Sequence, residues 1–162
     1  MKAEEMFRDY RNLKKEQSVL EFQLQQFQGI NENDLISAMS LSHPDGDERV
    51  QTSSLSDKTA KVAINYKQVA ERENDEWYDF LWNRYRYVKE EVDFFEQGIL
   101  GLKGVLPEVM KDLLNEDLTW DDIQARHHVS RTMVSKYKKS AMKELNVLYE
   151  LRDRQTESYI LS

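Results

Sequence analysis

The sequence has no cysteine, only two prolines and only five glycines among 162 residues. Without cysteine there is no disulfide, no thiol nucleophile and no Cys-based zinc site, and such a chain suits a reducing cytoplasm. The shortage of breakers, with abundant Glu, Lys, Gln and Leu, favours a mostly helical protein. Long apolar runs are missing too. None approaches the ~18 residues of a membrane span, and Met1-Lys2-Ala3-Glu4-Glu5 leads into no apolar segment, so neither a span nor a signal peptide is expected. No nucleophile–base–acid spacing, metal cluster or phosphate loop emerges, so neither an enzyme nor a cofactor is expected.

Hydrophobic residues make up 40% and charged residues 33%, enough for a thin core. The net charge of −7 speaks at first against nucleic acid. Its distribution does not. Between Arg126 and Lys143 lie Arg126, Arg131, Lys136, Lys138, Lys139 and Lys143 with no Asp or Glu, so this stretch carries +6 and the remainder −13. A DNA-binding face needs a local basic footprint rather than a basic protein. A solvated lysine-rich helix face would carry the same charge.

Four regions follow one another. Residues 1–28 read as an amphipathic helix with Met6, Tyr10, Leu13, Gln17, Leu20, Leu24 and Phe27 at alternating steps of four and three. That is a heptad pattern with Gln17 as its polar member, a residue type that can set register or oligomer state. The stripe reads as a coiled coil joining copies of the chain into a homo-oligomer, or as a helix packing on its own domain. Residues 29–57, with His43-Pro44-Asp45-Gly46-Asp47 and Ser53-Ser54, read as a polar linker holding at most one helical turn over Asn33–Met39. Asp45-Gly46-Asp47-Glu48 lacks the ligand spacing of a calcium loop and reads as an acidic turn.

Ser56 or Asp57 can cap a helix that begins near Lys58 and carries Val62, Tyr66 and Val69. Residues 58–97 form this helical, aromatic-rich segment, with Trp77, Leu81, Arg84, Val88 and Val92 at helical spacing. Glu73, Asp75, Glu76, Asp79, Glu90 and Glu91 border it and would repel phosphate. The aromatic stripe therefore reads as core or as a partner surface, not as a base-stacking platform. Gly98, Gly101 and Gly104 suggest a boundary before the last region, residues 98–162.

That last region carries the function. Leu106-Pro107-Glu108 is a helix start, Val109, Met110, Leu113 and Leu114 give the helix a buried face, and Asn115-Glu116-Asp117 ends it. Thr119 can cap the next, short helix, with Asp122 three residues on as in a capping box and Trp120 and Ile123 pointing inward. Val129-Ser130 leads into a longer helix. Its inward stripe is Val134, Tyr137, Ala141, Leu145 and Leu148. A short helix, a tight turn and a basic helix with an apolar back predict a helix-turn-helix. Arg131, Thr132, Ser135 and Lys136 would reach base edges, and Arg126, Lys138 and Lys139 phosphates, with His128 and Ser130 at the turn beside the backbone. His127 and His128 are adjacent on a helix end and cannot converge on one ion, and the only other histidine is His43.

Leu118-Thr119-Trp120-Asp121-Asp122-Ile123, then Val129-Ser130-Arg131-Thr132-Met133-Val134-Ser135, then Ala141-Met142-Lys143-Glu144-Leu145 resemble region 4 of the sigma-70 family. The match runs without gaps over about a quarter of the chain. A helical N-terminal half and polar linker ahead of such a unit resemble the late-gene transcription activators of Gram-positive phages, of the RinA and ArpU kind. Two positions depart from the pattern. His128 stands where the family has Gly, in a turn that tends to positive φ, and Gln124 stands where it has a small residue.

The fold expected is thus all-α, with an N-terminal coiled-coil-like helix, a middle helical segment and a C-terminal helix-turn-helix. The function expected is a sequence-specific, DNA-binding transcription regulator. The resemblance implies a phage-type activator that works with host RNA polymerase in the bacterial cytoplasm. The alternatives are a small terminase subunit or other packaging adaptor, and a helix-turn-helix module that binds protein.

Overall fold

The computed structural model describes residues 2–27 and 54–162, and the side chains of all of these except 54–69. Among the described residues the protein is all-α. Its helices are α1 (Ala3–Gln25), α2 (Ser54–Leu100), α3 (Leu106–Leu114), α4 (Trp120–His127) and α5 (Arg131–Leu161). Of the polar linker expected over 29–57, residues 54–57 are helical, and residues 29–53, with the acidic turn at Asp45–Glu48 and the helical turn at Asn33–Met39, lie outside the described residues, as do the side chains of Val62, Tyr66 and Val69. No described helix is long and apolar enough to cross a membrane.

The chain divides into two compact units. One is formed by Met1–Val19 with Arg86–Ser162, the other by Leu20–Tyr85. Neither edge falls at the glycines. α2 runs unbroken through Gly98 to Leu100, and from Arg86 onward it belongs to the same unit as α3, α4 and α5. Gly98 makes room for a side chain of α5. A Cβ on it would lie 2.8 Å from Cδ2 of the buried Leu145, which would have to shift to admit any larger residue. Gly104 is the true turn glycine, with φ +61° between α2 and α3. α2 also starts earlier than its sequence suggests, at Ser54, which places Ser56 and Asp57 inside the helix rather than at its cap.

In the first unit, Val88, Val92, Phe95 and Ile99 of α2 are buried at steps of four, three and four. With Met6 and Leu13 of α1, Val109 and Met110 of α3, Ile123 of α4, and Val134, Ala141 and Leu145 of α5, they make one core. The inward stripe of α5 differs from expectation in its last turn. Leu148 is exposed, and Met142 and Tyr149 are buried. Tyr149 meets Phe94 edge to face at 4.9 Å. Beside this pair the carboxylate of buried Glu91 accepts two hydrogen bonds from Arg152, at 2.8 and 3.2 Å. The guanidinium also lies over the Phe94 and Tyr149 rings. A buried carboxylate is tolerable because both oxygens are paired with a charge. Burial, and the charge of Glu91, hold the Tyr149 hydroxyl protonated far above the usual phenol range.

The heptad stripe of α1 is used inside the chain. Met6 and Leu13 are buried and Tyr10 half-buried. The Tyr10 ring lies 5.7 Å from Phe95, and its hydroxyl donates to Glu96 at 2.7 Å. Lys14 donates to the same oxygen at 3.1 Å. This half of the face expected to join copies is covered by the chain's own core, because α2 and α5 supply the apolar surface that a second α1 would have offered. Gln17, the polar member, keeps its side-chain oxygen buried without a hydrogen-bond partner.

In the second unit most of the aromatic stretch, expected as core or as a partner surface, is not core. Leu81 is buried, but Trp77, Tyr78, Phe80 and Trp82 are between 40% and 58% exposed. Trp77 and Phe80 stack on one another at 5.6 Å, and Phe27 meets Tyr78 edge to face at 5.2 Å.

Candidate nucleic-acid interface

The segment from α3 to α5 is built by local signals. Pro107 sits in the first turn of α3, where a missing N–H costs nothing. Asn115 leaves the helix with extended backbone, and its side-chain oxygen accepts the N–H of Asp117 at 2.9 Å. Thr119 then opens α4 with a complete capping box. Its hydroxyl accepts the N–H of Asp122 at 3.2 Å, and the Asp122 carboxylate accepts the N–H of Thr119 at 2.8 Å and its hydroxyl at 2.8 Å. Those bonds, the backbone one foremost, hold the Asp122 carboxyl below the usual range.

α4 ends at His128, which takes φ 53° and ψ 44°. It is the one described non-glycine residue with positive φ. Both His128 and Val129 donate their N–H to the carbonyl of Gln124, and this closes the last turn. The backbone therefore demands the left-handed geometry for which glycine is the easy choice, and histidine adopts it. Gln124 is half-buried, and its amide donates to the Trp120 carbonyl and to Asp121. Ser130 caps α5, its hydroxyl accepting the N–H of Met133 at 3.3 Å.

The basic residues fall into two groups. Three are engaged by neighbours, together with His127. Arg126 donates to Asp112 of α3 at 2.8 Å, and the imidazole of His127 lies 2.7 Å from the other Asp112 oxygen. Asp112 thus ties α3 to the end of α4. Lys138 is half-buried with its ammonium 4.2 Å from the centre of the Phe7 ring of α1. Arg131 lies over Trp120 at 5.4 Å, and the half-buried indole braces the first residue of α5 against α4. The second group is free. Lys136, Lys139 and Lys143 are exposed and make no ion pair with the described residues. With Thr132, also exposed, they form one edge of α5 at steps of four, three and four.

Of the nine residues singled out in the sequence, Ser130, Arg131, Thr132, Ser135, Lys136 and Lys139 share the N-terminal turns of α5 or its cap. Arg126 and His128 stand at the end of α4, and Lys138 is turned towards α1. The sequence matches no family model, no curated protein and no solved structure. The interface is therefore read from its own chemistry.

Alongside the free edge runs an open groove of about 720 Å³. Trp120 of α4 and Ser135, Lys139, Met142 and Lys143 of α5 line it. The first turn of α1 reaches it as well. Asn146 accepts the N–H of Ala3 at 3.1 Å and donates to Glu4 at 2.9 Å. Sequence reasoning missed Lys143, Trp120 as a brace, Asp112 and Phe7. Lys143 was within reach, since it continues the four-three-four spacing. Phe7 and Asp112 lie far along the chain from their cationic partners, and no local pattern joins them.

Proposed function

We propose that this protein binds double-stranded DNA through the N-terminal turns of α5 and regulates transcription, with α4, the His128 turn and α5 acting as a helix-turn-helix. One observation carries the reading: a capped helix presents Thr132, Lys136 and Lys139 on an exposed edge, and the described carboxylates leave both of these lysines unpaired. Exposed side chains at the start of such a helix can reach base edges, and later lysines reach phosphates. The edge is cationic in a chain of net charge −7, so the acidic remainder repels DNA and directs it to this face. The resemblance of residues 118–145 to sigma-70 region 4 supports the same orientation. It extends the reading to a phage-type activator acting at promoters with RNA polymerase in a bacterial cytoplasm.

Fluorescence anisotropy against duplexes selected from genomic fragments tests it. Lys136→Glu with Lys139→Glu should abolish binding at moderate salt, while the helical signal and the melting temperature stay unchanged. Undiminished binding by the double variant would overturn the reading. The exposed aromatics Trp77, Phe80 and Trp82 favour a second reading, a protein partner such as the polymerase. Co-purification with polymerase in the presence and absence of DNA separates the two.

A further inference from the structure

We propose that the groove between Trp120 and the Lys139–Lys143 edge of α5 is a seat for the sugar–phosphate backbone of the duplex, beside the bases read by the first turns of the helix. The inference rests on the DNA-binding reading and adds a second point of attachment to it. Length is the first reason. At 1.5 Å per residue Lys143 lies about 16 Å along the axis from Thr132. The major groove is only about 12 Å wide. When Thr132 stands at a base edge, Lys143 has passed the rim of the groove and stands at the flanking strand.

Chemistry is the second reason. A deoxyribose-phosphate chain has an apolar sugar face and an anionic edge. The groove offers the indole of Trp120 and the side chain of Met142 for the first, and Lys139 and Lys143 for the second. Two of the other polar groups are committed elsewhere. Both ends of the Asn146 amide serve Ala3 and Glu4, and Lys138 is held on Phe7. Glu4 and Glu150 also line the groove, and their charge confines a polyanion to the lysine edge. The seat therefore holds one or two phosphates and carries no base information.

The test is the salt dependence of duplex binding by the full chain, for the unaltered protein, Lys143→Ala, Lys143→Arg and Lys136→Ala, on a selected genomic duplex and a random duplex of equal length. Lys143→Ala leaves one phosphate without its cation, so the slope of log K against log salt should shrink by about 0.9. Affinity should fall by the same factor on both duplexes, and Lys143→Arg should keep the slope. An unchanged slope for Lys143→Ala, alongside a reduced one for Lys136→Ala, overturns the seat and leaves the DNA reading standing. A loss confined to the selected duplex makes Lys143 a base reader and also overturns it. If the unaltered protein shows no salt-dependent duplex binding, the seat falls together with the DNA reading.

Discussion

α2 contains two apolar stretches that end in different surroundings. Around Trp77–Trp82 the largest aromatic side chains of the helix stand half in solvent. Two turns later, the smaller Val88, Val92 and Ile99, with Phe95, are fully buried. Side-chain size would rank the two stretches the other way. What differs is the facing surface. The later stretch meets α1 through Tyr10 and α5 through Leu145 and Tyr149, and Gly98 leaves room for the Leu145 side chain. Burial follows from complementarity across helices, which one strand of sequence does not display.

The largest effect that would break this comparison is a pair of truncations. Phe95→Ala should destabilise the protein by about 3–5 kcal/mol, as expected for a phenyl ring removed from a packed core. Phe80→Ala should cost no more than about 0.5 kcal/mol, as at an ordinary surface position. Urea unfolding of both variants checks it, and equal losses would show that the aromatic stretch is core after all.

A smaller effect separates local from tertiary support within the α3–α5 segment. Thr119→Ala removes the hydroxyl half of the capping box and should cost about 1 kcal/mol at neutral pH. The loss should be pH-dependent. Because the folded state holds the Asp122 carboxyl below its unfolded value, its contribution is present above the unfolded Asp range and fades as pH falls through the folded one. The unaltered protein should therefore lose more stability than Thr119→Ala on acidification below about pH 4. Parallel stability curves for the two proteins over that window would count against the box. The smallest effect expected is His128→Gly. Removing the left-handed penalty at φ 53° should raise stability by about 0.5–1 kcal/mol, read as a higher melting temperature. A loss would mean that the imidazole makes up for the backbone strain.

Much of the α3–α5 segment was legible because its signals are short-range. Thr119 with Asp122, Ser130 before Arg131, Pro107 and the glycine-like demand at His128 each act over three or four residues, and each appears in the structure as a cap, a turn or a left-handed residue. The free lysine edge was legible for the same reason, since helical spacing alone lines up Thr132, Lys136 and Lys139. The partners of the other cations were not. Arg126 meets Asp112 and Lys138 meets Phe7 only because α3 and α1 come back against α4 and α5.

By itself, the sequence determined that this protein is helical, where its last three helices begin, and that its positive charge gathers on α5. Those properties rest on propensity, capping and residue spacing, which act within a few residues. Tertiary structure decided that the first half of α1's stripe lies in the chain's own core instead of pairing with another copy, that Trp77, Tyr78, Phe80 and Trp82 of α2 stay exposed, and that, of the six cations between Arg126 and Lys143, Lys136, Lys139 and Lys143 are left free by the described residues. Such outcomes depend on which surfaces meet across long chain separations, where an apolar stripe can be satisfied by any complementary neighbour and an ion pair by any carboxylate brought within reach.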